Sequence, residues 1–108
     1  MFRVLIVDDD KLIVDDLISL LDWNALGCSL PDSAADGRQA LSLLQAKSYD
    51  IVLTDISMPI MDGVELIRKA KAQNVSAVFL VISNYDDFVL VKEAMKHGAV
   101  EYLLKYEI

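Results

Sequence analysis

Cysteine, histidine and tryptophan each occur once among the 108 residues, with only two prolines and four glycines. A lone Cys28 can form neither an internal disulfide nor a cysteine-based zinc site, which fits a reducing, cytosolic setting. It suits the role of a small buried hydrophobe. No Ser/Pro/Gly-rich linker, internal repeat or low-complexity stretch divides the chain, so residues 1–108 read as one domain. Bases are scarce as well: ten Lys+Arg against seventeen Asp+Glu leave a formal charge of −7. That balance excludes nucleic acid and anionic membrane surfaces as favoured direct partners, because both are polyanions. Long apolar runs are missing at the start, where Val4-Leu5-Ile6-Val7 stops after four residues at Asp8-Asp9-Asp10. No signal-peptide core or membrane span can be built on it. With 55% apolar and 25% charged residues, what remains is an ordinary globular chain.

Short apolar runs alternate with segments of helical period, the signature of βαβ units around a parallel sheet. Residues 3–7 read as a strand buried on both faces. Residues 12–21 form a helix with Asp10 as N-cap and a stripe of Ile13, Leu17, Leu20 and Leu21. Residues 28–35 are a weaker strand, and Pro31 within it demands an edge position. Asp36-Gly37 opens a helix with its stripe at Gly37, Ala40, Leu41 and Leu44. A strand over 51–54 and a loop over 55–62 follow, then a helix over 63–72 with Ile67 and Ala70 facing inward. Residues 77–82, Ala-Val-Phe-Leu-Val-Ile, predict a central strand. Asp86 or Asp87 caps a helix ending near His97, with Gly98 at the left-handed C′ position, and 101–104 form the last strand. Right-handed crossovers and the edge strand predict an α/β, doubly wound, five-stranded parallel sheet in the order 2-1-3-4-5. Ligands of such sheets bind outside the carboxyl ends of the strands, at the switch point.

Five chemically useful side chains fall at those ends: Asp8 and Asp9 after strand 1, Asp55 after strand 3, Ser83 after strand 4, and Lys105 after strand 5. Strands 1 and 3 are neighbours about 4.8 Å apart, so three carboxylates converge. They repel unless a cation sits among them, and hard oxygen ligands in that number suit Mg²⁺. Singly, each Asp reads as a solvated helix cap; together the five read as a site.

Val7-Asp8-Asp9-Asp10, Thr54-Asp55-Ile56-Ser57-Met58-Pro59-Ile60-Met61-Asp62-Gly63, Ile82-Ser83 and Tyr102-Leu103-Leu104-Lys105 together resemble the receiver domain of two-component response regulators, over essentially the whole chain. Asp22-Trp23, Leu26-Gly27-Cys28 and the run from Ser83 to Phe88 resemble receivers attached to AraC-type DNA-binding domains. The resemblance implies a flavodoxin-like fold and a phosphoacceptor role for Asp55, served by a sensor histidine kinase. It implies Mg²⁺ held by Asp8, Asp9, Asp55 and the Ser57 backbone carbonyl. Ser83 is then the hydroxyl that meets a phosphoryl oxygen, Tyr102 the aromatic that swings inward with it, and Lys105 the partner of the phosphoryl charge. Such a domain is no enzyme beyond catalysing its own phosphoryl transfer and hydrolysis. It acts in the cytoplasm on an output, here a transcriptional one.

Three departures from the family's pattern stand out. Tyr106 follows Lys105 where a proline is usual, Asn84 follows Ser83 where a small residue is common, and the chain stops at Ile108 where a fifth helix normally follows. The last predicts an apolar sheet face around Val52, Val78 and Leu80 that is partly uncovered, and self-association or reduced stability with it. The apolar tetrad Phe88-Val89-Leu90-Val91 predicts a homodimer surface, chiefly through Phe88, Leu90 and Val91. Trp23 reads as a packing anchor, Met58 and Met61 as fillers, and His97 as a helix-terminal residue. Two other classes compete. One is a receiver-shaped interaction domain that needs no phosphorylation. The other is a haloacid-dehalogenase-type phosphatase, disfavoured because Ser57 stands where its second acid would be.

Overall fold

Val4–Val7 (β1) consists of aliphatic residues buried at every position, as a strand covered on both faces requires. The computed structural model describes residues 1–84 and 86–105, and in them five strands alternate with four helices. After β1 come Lys11–Leu20 (α1), Asp32–Ala34 (β2), Gly37–Ala46 (α2), Ile51–Asp55 (β3), Gly63–Ala72 (α3), Val78–Ser83 (β4), Phe88–Lys96 (α4) and Glu101–Leu104 (β5). All four pairings are parallel, and the sheet order is β2-β1-β3-β4-β5, as the sequence predicts. No helix among the described residues is long and apolar enough to cross a membrane.

Alternation along the strands divides the core in two. Leu5, Val7, Val52, Phe79 and Val81 face α2, α3 and α4, while Val4, Ile6, Leu53 and Ile82 face α1 with Trp23 and Cys28. Trp23 and Cys28 are buried as expected, and the Trp23 indole donates to the Ile18 carbonyl. Asp10, Asp36 and Asp62 cap α1, α2 and α3 with their side chains. Gly98 takes φ +117° beyond α4, the left-handed exit predicted for it.

Several expectations need correction. β2 is only Asp32–Ala34, because Pro31 offers no N–H to the ladder; Cys28 makes a single isolated bridge to Phe2. The buried stripe of α1 is Val14 and Leu17 with Ile13 beside them, whereas Leu20 and Leu21 are exposed. Leu20 is the last helical residue and Leu21 has already turned extended, so both leave the covered stripe. Val52 is fully buried, since its face is closed by α2 and α3. The thinly covered face is the opposite one, where α1 is the only helix among the described residues: Val78 is 43% exposed, Leu80 is half-buried and Leu103 is exposed. In α4, Val91 is core and cannot serve as the dimer surface expected of it; Phe88 and Val89 are the exposed members of that tetrad.

Candidate functional site

Register builds the site. Val7 pairs with Thr54, so Asp8 and Asp55 leave the β1–β3 ladder side by side. Asp55 pairs with Ile82, placing Ser83 one step further along β4, and Ser83 pairs with Leu104, placing Lys105 one step beyond that. Four neighbouring strands thus deliver Asp8, Asp55, Ser83 and Lys105 to one edge of the sheet.

There, Asp8, Asp9 and Asp55 each offer a carboxylate oxygen within 4.8 Å of the others. Asp8 and Asp55 are buried and Asp9 is exposed, so the cluster opens to solvent on one side. Lys105 Nζ lies 3.3 Å from Asp55 Oδ2, and the Ser57 amide donates to Asp55 Oδ1 at 3.3 Å. The Asp10 amide donates to Asp8 Oδ1 at 2.9 Å. Behind the acceptor, Thr54 Oγ1 donates to the Asp55 carbonyl, and the Gly63 amide donates to the Ile56 carbonyl at 2.8 Å. A Cβ on Gly63 would stand 2.7 Å from that Asp55 carbonyl oxygen, so only glycine lets α3 approach this closely.

The charges follow from this burial. Desolvation pushes the Asp55 pKa up to about 6 with the Asp8 charge adding to it, while Lys105 and the Ser57 amide pull the other way. Asp8 is raised too, mainly by burial. Burial alone would discourage charge on Lys105, but Asp55 and Asp8 outweigh it and its pKa is raised, so it stays an ammonium. Among the described residues, two buried side-chain polar atoms have no hydrogen-bond partner: Asp8 Oδ2 and Ser83 Oγ. An unpartnered carboxylate oxygen within a cluster of three fits a hard divalent cation, so the donor set agrees with Mg²⁺.

The residues predicted from sequence therefore converge. Asp8, Asp9, Asp55 and Lys105 are in one constellation, and Ser57 joins through its amide. Ser83 is buried at its strand end. Tyr102 sits apart, 46% exposed, on a groove of about 470 Å³ between α4 and β5 whose lining includes Ser83, Asn84 and Phe88. Tyr106 lies outside the described residues, while Lys105 itself reaches Asp55. Nothing in the sequence marks Gly63 as a spacer under Asp55, because an Asp-Gly pair reads first as a helix start.

Fold and site together define a flavodoxin-like doubly wound domain with an acidic pocket and a fixed lysine at its carboxyl edge. The family model for the response regulator receiver domain matches residues 4–107, and the chain belongs to that family. It is 42% identical over 105 residues to the transcriptional regulatory protein YesN of Bacillus subtilis, and 35% identical over 105 residues to the transcriptional regulatory protein HptR of Staphylococcus aureus. These alignments take in 97% of this chain but only 28% and 41% of those relatives, so the chain spans less than half their length. Among solved structures it is similar to the receiver domain of the response regulator AraT from Geobacillus stearothermophilus, with TM-score 0.86, 35% identity, and coverage of 96% of this chain and 81% of that one. It is also similar to a two-component transcriptional regulator AraC from Clostridium phytofermentans, with TM-score 0.88, 36% identity, and coverage of 98% and 82%. The haloacid-dehalogenase reading falls with the family membership.

Proposed function

We propose that Asp55 accepts a phosphoryl group from the phosphohistidine of a sensor kinase, and that the resulting change is passed to a DNA-binding output domain in the cytoplasm. The observation that carries this reading is the buried Asp55 carboxylate, held between Lys105 at 3.3 Å and the acid pair Asp8 and Asp9. A carboxylate oxygen of Asp55 forms the new bond to phosphorus as the bond from phosphorus to the donor nitrogen breaks. Lys105 offsets charge on the equatorial oxygens, and the Ser57 amide aims the carboxylate by holding Oδ1. Asp8 and Asp9, with the Ser57 carbonyl, would hold Mg²⁺, which supplies further charge neutralisation when bound. The Ser83 hydroxyl, unpartnered among the described residues, is available to donate to a phosphoryl oxygen, and Tyr102 beside the groove has room to follow it. The aspartyl phosphate then hydrolyses with the same groups in place. Homodimerisation through α4 would rest on Phe88 and half-buried Leu90 rather than on Val91.

The test is a mass spectrum after incubation with acetyl phosphate and Mg²⁺. One added phosphate that is lost in Asp55→Asn supports the reading. No addition in the parent chain supports the phosphorylation-independent interaction domain instead.

A further inference from the structure

Asp87 occupies the N-cap position of α4, yet its side chain makes no cap hydrogen bond to that helix. A carboxylate there ordinarily accepts from the second or third helical amide. Instead, Asp87 Oδ2 accepts the Asn84 N–H at 2.8 Å, and the Asp87 N–H donates to the Asn84 carbonyl at 3.2 Å. The pair Asn84 and Asp87 is thereby joined in both directions. It is also tied to the core, since the Asp87 carbonyl accepts from the amide of buried Val91 at 2.9 Å.

The location gives this arrangement its meaning. Asn84 directly follows Ser83, whose Oγ is buried without a partner among the described residues. Both residues line a groove that also takes in Phe88 and the exposed Tyr102. Asn84 therefore adjoins both a hydroxyl that lacks a bond and the groove that Tyr102 lines.

We propose that Asp87 is a positioning residue, a latch on Asn84 that sets where the Ser83 hydroxyl rests and holds Asn84 against movement. The proposal rests on the reading of Asp55 and Ser83 given above. A phosphoryl group on Asp55 draws Ser83 toward it, and the latch opposes that displacement. Without the latch Asn84 and Ser83 move more easily, and Tyr102 turns into the groove it lines more often even in the unphosphorylated chain.

Three variants test this in the full chain: Asp87→Ala, Asp87→Asn, which keeps an acceptor oxygen, and Asp86→Ala, which removes the same charge one residue away. The readouts are hydrogen exchange at the Asn84 amide and the Tyr102 ring resonances by NMR, before and after acetyl phosphate with Mg²⁺. In Asp87→Ala, Asn84 exchange should rise about tenfold, as expected when a charge-assisted hydrogen bond is lost. Its Tyr102 resonances should move toward those of the phosphorylated parent. Asp87→Asn should restore most of both, and Asp86→Ala should change neither. Parent-like exchange and resonances in Asp87→Ala would overturn the latch, as would an equal effect from Asp86→Ala or no recovery in Asp87→Asn. If no chain takes up phosphate, the reading of Asp55 fails, while Asn84 exchange still decides whether the latch exists.

Discussion

Replacing Asp55 by asparagine should stabilise the fold at neutral pH. The side chain is nearly isosteric, so the change removes charge without opening a cavity. Burial and the neighbouring Asp8 raise the folded pKa of Asp55 from 3.8 to about 6. A carboxyl raised on folding contributes stability that is complete below the unfolded pKa of 3.8 and is lost as pH rises through about 6. At pH 7 the parent therefore carries the whole penalty of a buried, repelled carboxylate. At 1.36 kcal/mol per pKa unit that penalty is about 3 kcal/mol as an upper bound, and screening through the open Asp9 side reduces it to roughly 1–2 kcal/mol. For a domain of this size that corresponds to a rise in Tm of about 4–8 °C for each kcal/mol. Urea denaturation of both chains at pH 7 and pH 4 measures it: the midpoint of Asp55→Asn should be higher at pH 7, and the gap should shrink toward pH 4. Millimolar Mg²⁺ should narrow the gap at pH 7 by stabilising the parent. A lower midpoint in the variant at pH 7 would show that the Lys105 ion pair outweighs the repulsion, and the electrostatic reasoning would be wrong. A gap indifferent to Mg²⁺ would count against the acid cluster as a cation site.

Gly63→Ala should lower stability by about 1–3 kcal/mol, because its Cβ meets the Asp55 carbonyl oxygen at 2.7 Å and the Ile56 Cα at 3.0 Å; a urea midpoint equal to the parent's would refute the close approach. Ile60→Asn should raise stability by up to about 1 kcal/mol. Ile60 is β-branched at φ +71°, the Met61 N–H closes a tight turn onto the Pro59 carbonyl around it, and at 75% exposure it has little packing to lose. A lower melting temperature would show the side chain to be packed. Tyr49→Phe should cost about 1 kcal/mol at pH 7 by removing the 2.6 Å bond to partly exposed Asp32. That bond lowers the Asp32 pKa below 3.8, so this contribution fades as pH falls through the lowered value. Burial and Asp32 push Tyr49 up to about 12, so its own contribution holds below 10 and is lost as pH rises through about 12. Denaturation midpoints that differ equally at pH 2.5 and pH 7 would refute the pairing.

Local pattern carried the element order, because strand and helix periods differ and each run is short enough to be read alone. The all-apolar stretch through Phe79 and the Pro31 interruption were sufficient for strand type and edge position, and with right-handed crossovers they determined the sheet order. That order in turn placed Asp8, Asp55, Ser83 and Lys105 at one edge, since register follows once the neighbours are known. Which apolar residues are covered was a different matter. Leu20 and Val14 look alike in sequence, and so do Val52 and Val78; only the docking of α1 on one face and of α2 and α3 on the other separates the buried members from the exposed ones. The same holds for polar groups. Asp10, Asp36, Asp62 and Asp87 all precede helices, but three cap their own helix and the fourth turns back to Asn84. A carboxylate's choice of partner depends on the competing amides within reach in three dimensions. The raised pKa of Asp55 likewise comes from burial beneath α3 and beside Asp8, both of which exist only after the sheet has formed.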